Sequence, residues 1–188
     1  ISLGLVGSEM CIRDSPCTLE ITDAETFARD WTVIDVNSDV SANTWAYNDG
    51  NAMYTQDKSN AADDWLIAPA VTLEAGKAYK VSAYVKHSST FGSDKQKIEL
   101  KIGTAPTVEG LTTRLVYDES FQSRLFVEKS GTFSPAESGV FYVGLRCYSE
   151  SYNGDLYFQK IVIEEAPVYP AQITDCLLYT SPSPRDRG

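Results

Sequence analysis

The stretch AYKVSAYVK at residues 78–86 alternates apolar and polar side chains over its whole length. In an extended chain Tyr79, Val81, Ala83 and Val85 therefore share one face. Other runs with the same alternation, separated by Gly, Asn, Asp and Ser, are residues 97–102, 114–117, 124–133, 140–147 and 156–163. About nine or ten strands at this spacing predict an all-β fold, an antiparallel jelly-roll-like β-sandwich.

One short helix and a core follow from the same kind of pattern. Asp23 is a good N-cap for a helix that runs to Arg29, because its side chain can accept from the first free backbone N–H groups. The side chains predicted to point into the sandwich are Trp31, Val33, Trp65, Leu66, Tyr79, Val81, Val85, Leu100, Leu145 and Ile161.

Charge and composition exclude several classes of function. The 188 residues carry a formal net charge of -10, which would repel phosphate backbones and anionic lipid surfaces. No apolar run approaches the roughly 18 residues that span a bilayer. We therefore expect no nucleic-acid partner and no membrane insertion by this fragment.

The two ends of the chain differ from its middle. Residues 5–14 read LVGSEMCIRD and residues 176–186 read CLLYTSPSPRD. With a permitted choice of codons for the first peptide, the complementary strand, shifted by one base, translates into the second. One oligonucleotide thus flanks the insert in both orientations, and it resembles a transposase adapter used for sequencing libraries. We predict that residues 1–15 and 176–188 are translated adapter.

Three blocks of the remaining chain resemble a known family. The first is WTVIDVNSD at residues 31–39 followed by Trp45, the second is ADDWLIAP at 62–69, and the third is FYVGLR at 141–146 running into LYF and IVI. Together they resemble the cleaved-adhesin, or choice-of-anchor J, domains of surface and secreted proteins of Bacteroidetes-type bacteria. The resemblance covers most of residues 16–165.

This resemblance implies a calcium-stabilised jelly-roll domain that serves adhesion, extracellularly or at the cell surface. Residues 16–165 would be the adhesin-like domain, and residues 166–175 a linker that resembles the start of a fibronectin type III domain. Relatives commonly carry an Asp-Asp pair where this chain has Gln159 and Lys160. Any acidic ligand that this pair would supply is absent here.

A candidate calcium site lies in the first block. Asp35, Asn37 and Asp39 place three oxygen-bearing side chains at alternate positions where a strand gives way to a loop, and calcium prefers oxygen ligands. Asp64 or Asp155 would complete this structural metal site. The alternative is an Asx turn that ends the strand, because Asp and Asn side chains bond to their own backbone in turns.

The aromatic side chains suggest a ligand platform. Candidates near predicted turns, where a flat ring can meet a sugar, are Trp45, Tyr47, Tyr54, Tyr148 and Tyr152. The alternative is that these rings are ordinary strand residues packed in or near the core.

Catalysis is not indicated. His87 is the single histidine, we expect it in a solvated loop, and the chain contains no G-x-S-x-G nucleophile motif. Cys17 and Cys147 either form a disulfide or pack as separate thiols. We therefore expect a non-enzymatic adhesion or binding module that recognises a host protein, a matrix protein or a glycan. The alternative is a carbohydrate-binding accessory domain of a secreted hydrolase or peptidase.

Overall fold

The computed structural model describes residues 16–38, 43–89 and 91–167. Within these residues the chain forms one helix and twelve strands. In chain order they are β1 (Cys17–Glu20), α1 (Ala24–Asp30), β2 (Thr32–Asp35), β3 (Trp45–Asn48), β4 (Asn51–Tyr54), β5 (Asp64–Ile67), β6 (Val71–Leu73), β7 (Tyr79–His87), β8 (Gln96–Gly103), β9 (Thr113–Phe121), β10 (Val127–Phe133), β11 (Gly139–Cys147) and β12 (Leu156–Glu165).

The strands form two antiparallel sheets that pack face to face. The first sheet has the order β10-β7-β12-β4-β3, with β1 paired to β12. The second has the order β2-β5-β11-β8-β9, with β6 paired to β11. This arrangement confirms the predicted antiparallel β-sandwich, and non-consecutive neighbours in both sheets show that long connections link them.

The main core lies between the sheets and follows the predicted alternation. Val81, Ala83 and Val85 of β7 are fully buried, and Leu100 and Leu145 face them from the second sheet. Burying one valine or leucine side chain contributes about 1.5–3 kcal/mol to stability. Nine of the ten predicted core residues belong to this main core or pack against it, and the exception is Trp65.

Trp65 is buried on the opposite side of its sheet. It forms a second, smaller core with Ile67 and Leu111 on the outer surface of β5, beneath the loop of residues 104–112. A Cβ atom at Gly144 would lie 2.4 Å from Leu111 Cδ1, so glycine is needed there for the loop to seat. The prediction that Trp65 points into the sandwich is therefore wrong, because a covering loop buries it from outside.

The predicted helix forms where its N-cap places it. The backbone N–H of Thr26 donates to Asp23 Oδ1 at 2.7 Å, and α1 follows at once. Phe27 is the buried residue of the helix and packs on the main core. The seven-residue helix is thus joined to the sandwich through Phe27.

The first and last described strands are neighbours. Cys17 of β1 lies opposite Ile163 of β12, and Glu20 lies opposite Lys160. Because the two strands are antiparallel, the chain enters the sandwich at Cys17 close to where it leaves at Glu165.

His87 is the last residue of β7 and is 1% exposed, so the expectation of a solvated loop histidine is wrong. Its Nε2 lies 2.5 Å from the carbonyl oxygen of Asn153. The alternation of β7 continues through position 87 and carries the imidazole inward.

Several sequence predictions concern residues outside the described ranges. These are the adapter segments 1–15 and 176–188, Asp39, and residues 168–175 of the linker. Cys147 is a buried free thiol, so the Cys17–Cys147 disulfide is not formed. In the described part of the chain, no helix has the length and apolar character to cross a membrane.

Candidate functional site: the Tyr117 face

The outer surface of the second sheet carries one continuous row of large side chains. Trp65 lies opposite Arg146, Arg146 opposite Glu99, and Glu99 opposite Tyr117, across four adjacent strands. Their strand neighbours point into the main core, so these four side chains point outward. With Arg114 and Tyr148 they form a surface that we call the Tyr117 face.

A buried carboxylate organises this surface. Glu99 is 1% exposed, and its Oε1 accepts from Arg114 Nε at 2.6 Å while Lys101 Nζ lies 3.6 Å away. Arg146 Nη1 is 3.4 Å from Glu99 Oε2. A buried carboxylate is costly unless it is paired and hydrogen-bonded, so Glu99 holds these three cations in place.

Arg146 is fixed from its other side by Asp63. Its Nε and Nη2 donate to the two oxygens of Asp63 at 2.7 and 2.9 Å, a bidentate pair. The hydrogen bonds that Arg146 donates to Asp63 raise the pKa of the guanidinium, burial opposes this rise, and the nearby charge of Glu99 adds to it. Asp63 is therefore committed to an ion pair, whereas its neighbour Asp64 is buried.

Aromatic rings lie between and beside the arginines. The rings of Tyr117 and Tyr148 stack with centroids 6.0 Å apart and an interplanar angle of 23°. The guanidinium of Arg114 lies 4.6 Å from the Tyr117 ring, and that of Arg146 lies 5.0 Å from the Tyr148 ring. Burial, then the neighbouring Tyr117, raises the pKa of the Tyr148 phenol, which stays neutral at physiological pH.

A buried polar network holds the loop that follows Tyr148. The Gln96 side chain is fully buried, and its Nε2 donates to the carbonyl oxygen of Gly154 at 2.6 Å. Its Oε1 accepts from Ser149 Oγ at 2.5 Å. The Ser149 carbonyl in turn accepts from the backbone N–H of Ala62 at 2.8 Å. These bonds fix residues 148–155 against the end of the sandwich and thereby fix the position of Tyr148.

The predicted aromatic platform divides into two groups. Trp45 and Tyr54 are each 2% exposed and form an edge-on pair, and Tyr47 packs against the same main core. These rings face inward with the alternation of their strands, so their proposed role in a ligand platform is wrong for Trp45 and Tyr54. Tyr148 belongs to the Tyr117 face, and Tyr152 is exposed in the loop that follows.

The predicted calcium loop contains a turn stabilised by its own side chains. The backbone N–H of Ser38 donates to Asp35 Oδ1 at 2.7 Å, as in an Asx turn. Asn37 Nδ2 donates to the carbonyl oxygen of Ala61 at 2.7 Å. Asp39 lies outside the described residues.

The remaining predicted ligands lie at the same end of the sandwich but are engaged separately. Asp64 lies directly opposite Asp35 in the β5–β2 register, and its Oδ2 accepts from the Asp63 backbone N–H at 3.1 Å. Asp155 Oδ1 accepts from the Gln56 backbone N–H at 3.0 Å. Within the described ranges, no three His, Cys, Asp or Glu side chains converge as a metal-holding group. Since Asp39 lies outside the described residues, the calcium site stays a prediction.

Sequence reasoning did not identify most of the Tyr117 face. It selected Tyr148 but not Glu99, Arg114, Arg146 or Tyr117. The alternation of each strand does place these four positions outward, and that signal was present in the sequence. What joins them into one site is the cross-strand register, which pairs residues far apart in the chain.

These features define an antiparallel β-sandwich domain with one outer sheet surface built from aromatic and charged side chains. No protein-family profile matches the chain, and no curated protein matches it. Solved structures do, and this chain has the fold of the cleaved adhesin domains. The K1 cleaved adhesin domain of Lys-gingipain from Porphyromonas gingivalis W83 aligns with a TM-score of 0.60 and 13% identity, covering 82% of this chain and 100% of that domain.

Two further structures support the same fold. The K2 cleaved adhesin domain of Lys-gingipain aligns with a TM-score of 0.57 and 15% identity, over 80% of this chain and 99% of that one. The first carbohydrate-binding module of BiXyn10A aligns with a TM-score of 0.53 and 19% identity, over 80% and 97%. The resemblance read from the sequence is thus confirmed at the level of the fold.

Proposed function

We propose that this chain is a non-catalytic binding module of a larger bacterial surface or secreted protein, acting at the cell surface or outside the cell. Its ligand, a host protein, a matrix protein or a glycan, is held on the Tyr117 face. The adhesin domains that share the fold support this role. The net charge of -10 argues against nucleic acid as a partner.

One observation carries the choice of surface. Tyr117 is 50% exposed and the Arg114 side chain is 56% exposed, yet Arg114 is anchored by the buried Glu99 and the Tyr117 ring is held against Arg114 and Tyr148. Tyr and Arg dominate the energy of protein recognition sites, and side chains already held in position lose less entropy on binding. An exposed Tyr–Arg pair on a rigid sheet therefore has the properties of a recognition surface.

The stacked tyrosines favour one second candidate, a carbohydrate-binding accessory domain of a secreted hydrolase or peptidase. Flat aromatic rings on a sheet present the apolar surface that the face of a sugar ring can cover. The shared fold with the first carbohydrate-binding module of BiXyn10A supports this candidate. The neighbouring domains encoded by the full gene distinguish the two, because an accessory module accompanies a catalytic domain.

The proposal is tested with a matched pair of tyrosine variants. Tyr117→Ala removes the exposed ring of the Tyr117 face, whereas Tyr84→Ala removes a partly buried ring from β7 in the other sheet. Retardation in gels containing soluble xylan, mannan or laminarin, and binding to immobilised collagen and fibronectin, give the readouts. We expect Tyr117→Ala to lower the affinity for the ligand that binds by about tenfold or more, and Tyr84→Ala to leave that affinity unchanged.

If Tyr84→Ala weakens binding and Tyr117→Ala leaves it unchanged, the binding site lies on the first sheet. Unchanged melting temperatures for both variants show that the fold survives, so a loss of binding then reports on the surface itself.

A further inference from the structure

Arg114 has an unused hydrogen-bonding edge. Its Nε donates to the buried Glu99, and its guanidinium lies against the Tyr117 ring. Its two terminal nitrogens, Nη1 and Nη2, have no hydrogen-bond partner among the described residues, and the side chain is 56% exposed. The group is thus oriented by two contacts while its outer donors face solvent.

Such an edge fits a carboxylate. The guanidinium is planar, always charged, and presents parallel N–H groups that match the two oxygens of a carboxylate. We infer that the Tyr117 face takes a glycan that carries an isolated carboxylate, which Nη1 and Nη2 of Arg114 bind together while the sugar ring covers Tyr117. This inference rests on the proposed function and names the class of ligand for the same surface.

The charge balance of the face favours an isolated acidic group over a dense polyanion. The face and its immediate neighbours carry four cations and four carboxylates, namely Arg114, Arg146, Lys101, Lys97, Glu99, Asp63, Glu119 and Glu150. This surface is therefore locally neutral in a chain of net charge -10. One carboxylate can approach Arg114 without strong repulsion, whereas a run of closely spaced anions meets the negative remainder of the molecule.

The geometry favours a sugar acid over an acidic peptide. The Arg114 guanidinium carbon lies 4.6 Å from the Tyr117 ring centroid, so charge and apolar surface are offered within the width of one sugar ring. A uronic or sialic acid carries an apolar C–H face and a carboxylate on a single ring. Tyr117 Oη already donates to Glu119 at 2.7 Å, which leaves that carboxylate beside the ring as an acceptor for sugar hydroxyls.

The test compares acidic glycans with neutral partners of the same skeleton. The probes are sialyllactose against lactose, and glucuronate-substituted xylotetraose against xylotetraose, titrated calorimetrically with the full chain at low salt. We expect the acidic member of at least one pair to bind about tenfold more tightly. Arg114→Gln should bring that ratio to about one. Arg114→Lys should restore it only partly, because a point charge cannot form the paired contact.

Arg124→Gln is the matched control, because Arg124 is an exposed arginine in the loop before β10 and its loss changes the net charge equally. An acidic preference that survives Arg114→Gln, or that falls equally in Arg124→Gln, overturns the inference. If the acidic and the neutral glycan of a pair bind with equal affinity, and Tyr117→Ala abolishes both, the inferred role of the carboxylate is overturned while the proposed function stands. Tighter binding of a glutamate-rich peptide than of every glycan also overturns it. If none of the four glycans binds, the inference is overturned as well. Binding to collagen or fibronectin then tests the proposed function separately.

Discussion

Trp65 and Leu66 are consecutive residues of β5, each 1% exposed, and they belong to two different cores on opposite faces of one sheet. Leu66 packs between the two sheets. Trp65 packs under the 104–112 loop and is a buried member of the Tyr117 face, with Arg146 and Lys101 lying over its ring. The second sheet is therefore covered on both sides along β5.

The two cores should respond independently to mutation. Leu66→Ala should cost about 2–5 kcal/mol of unfolding free energy and Trp65→Ala about 3–5 kcal/mol. Combined with Leu111→Ala, Trp65→Ala should show a coupling energy of about 0.5–3 kcal/mol, because the two side chains share one small core. Leu66→Ala with Leu111→Ala should be additive within about 0.5 kcal/mol. Urea unfolding measures all of these values, and strong coupling of Leu66 to Leu111 would contradict the separation.

The Gln96 network should control the loop that carries Tyr148. Gln96→Leu leaves Ser149 Oγ and the Gly154 carbonyl without their buried partner, which should cost about 1–3 kcal/mol and speed amide hydrogen exchange in residues 148–155. Gln122→Leu is the control, because Gln122 also donates to two carbonyls but is exposed. Gln122→Leu should change the unfolding free energy by no more than about 0.5 kcal/mol. Equal changes in stability and amide exchange for both variants would show that the Gln96 network does not control the loop.

The thiol of Cys147 should be inert in the folded protein. Complete burial raises its pKa from 9.0 to about 12. Because thiolate is the reactive form, iodoacetamide at about pH 8.5 should leave the Cys147 peptide unmodified until urea is added, as read by mass spectrometry. Rapid native labelling would contradict the burial.

The same shift predicts a pH dependence of stability. The folded state keeps the thiol protonated, whereas an unfolded chain ionises it near 9.0. The unfolded state is therefore favoured progressively as the pH rises from about 9 towards 12, and Cys147→Ala should show a smaller loss of stability across that range. A slope identical to that of the unsubstituted chain would count against the assigned direction.

Calcium binding remains a prediction centred on Asp35, Asn37 and Asp39. Calcium at 100 times its Kd should raise the unfolding free energy by about 2.7 kcal/mol, and Asp35→Ala with Asp39→Ala should remove most of that gain. Since Asp35 also accepts from Ser38, the double variant should be less stable without calcium, and only the calcium-dependent difference is diagnostic. Equal gains in both proteins would place the cation elsewhere.

Local patterns in the sequence were sufficient to predict much of the fold. The period-two alternation of residues 78–86 gave both the strand and the side that faces the core, and Asp23 marked the start of the helix. The same alternation, continued to position 87, places His87 inward, so its burial could also have been predicted from the sequence. These features depend on backbone geometry within a few residues.

Features that depend on distant segments could not be read in this way. All four residues of β5 are buried, so its sequence shows no alternation that distinguishes Trp65 from Leu66. Only the position of the 104–112 loop decides the side. Glu99, Arg114 and Arg146 likewise become one site through strand pairing across 15 and 47 positions of the chain.

The side-by-side placement of β1 and β12 determines how the domain bears mechanical tension. Its two connections to flanking chain leave from the same end of an antiparallel ladder only four residue pairs long. A force that pulls these connections apart loads the rungs of the ladder one after another, as in unzipping, instead of shearing them all at once. β12 stays anchored to β7 through nine further pairs. Under load β1 should peel away first, extending the tether while both sheets remain closed.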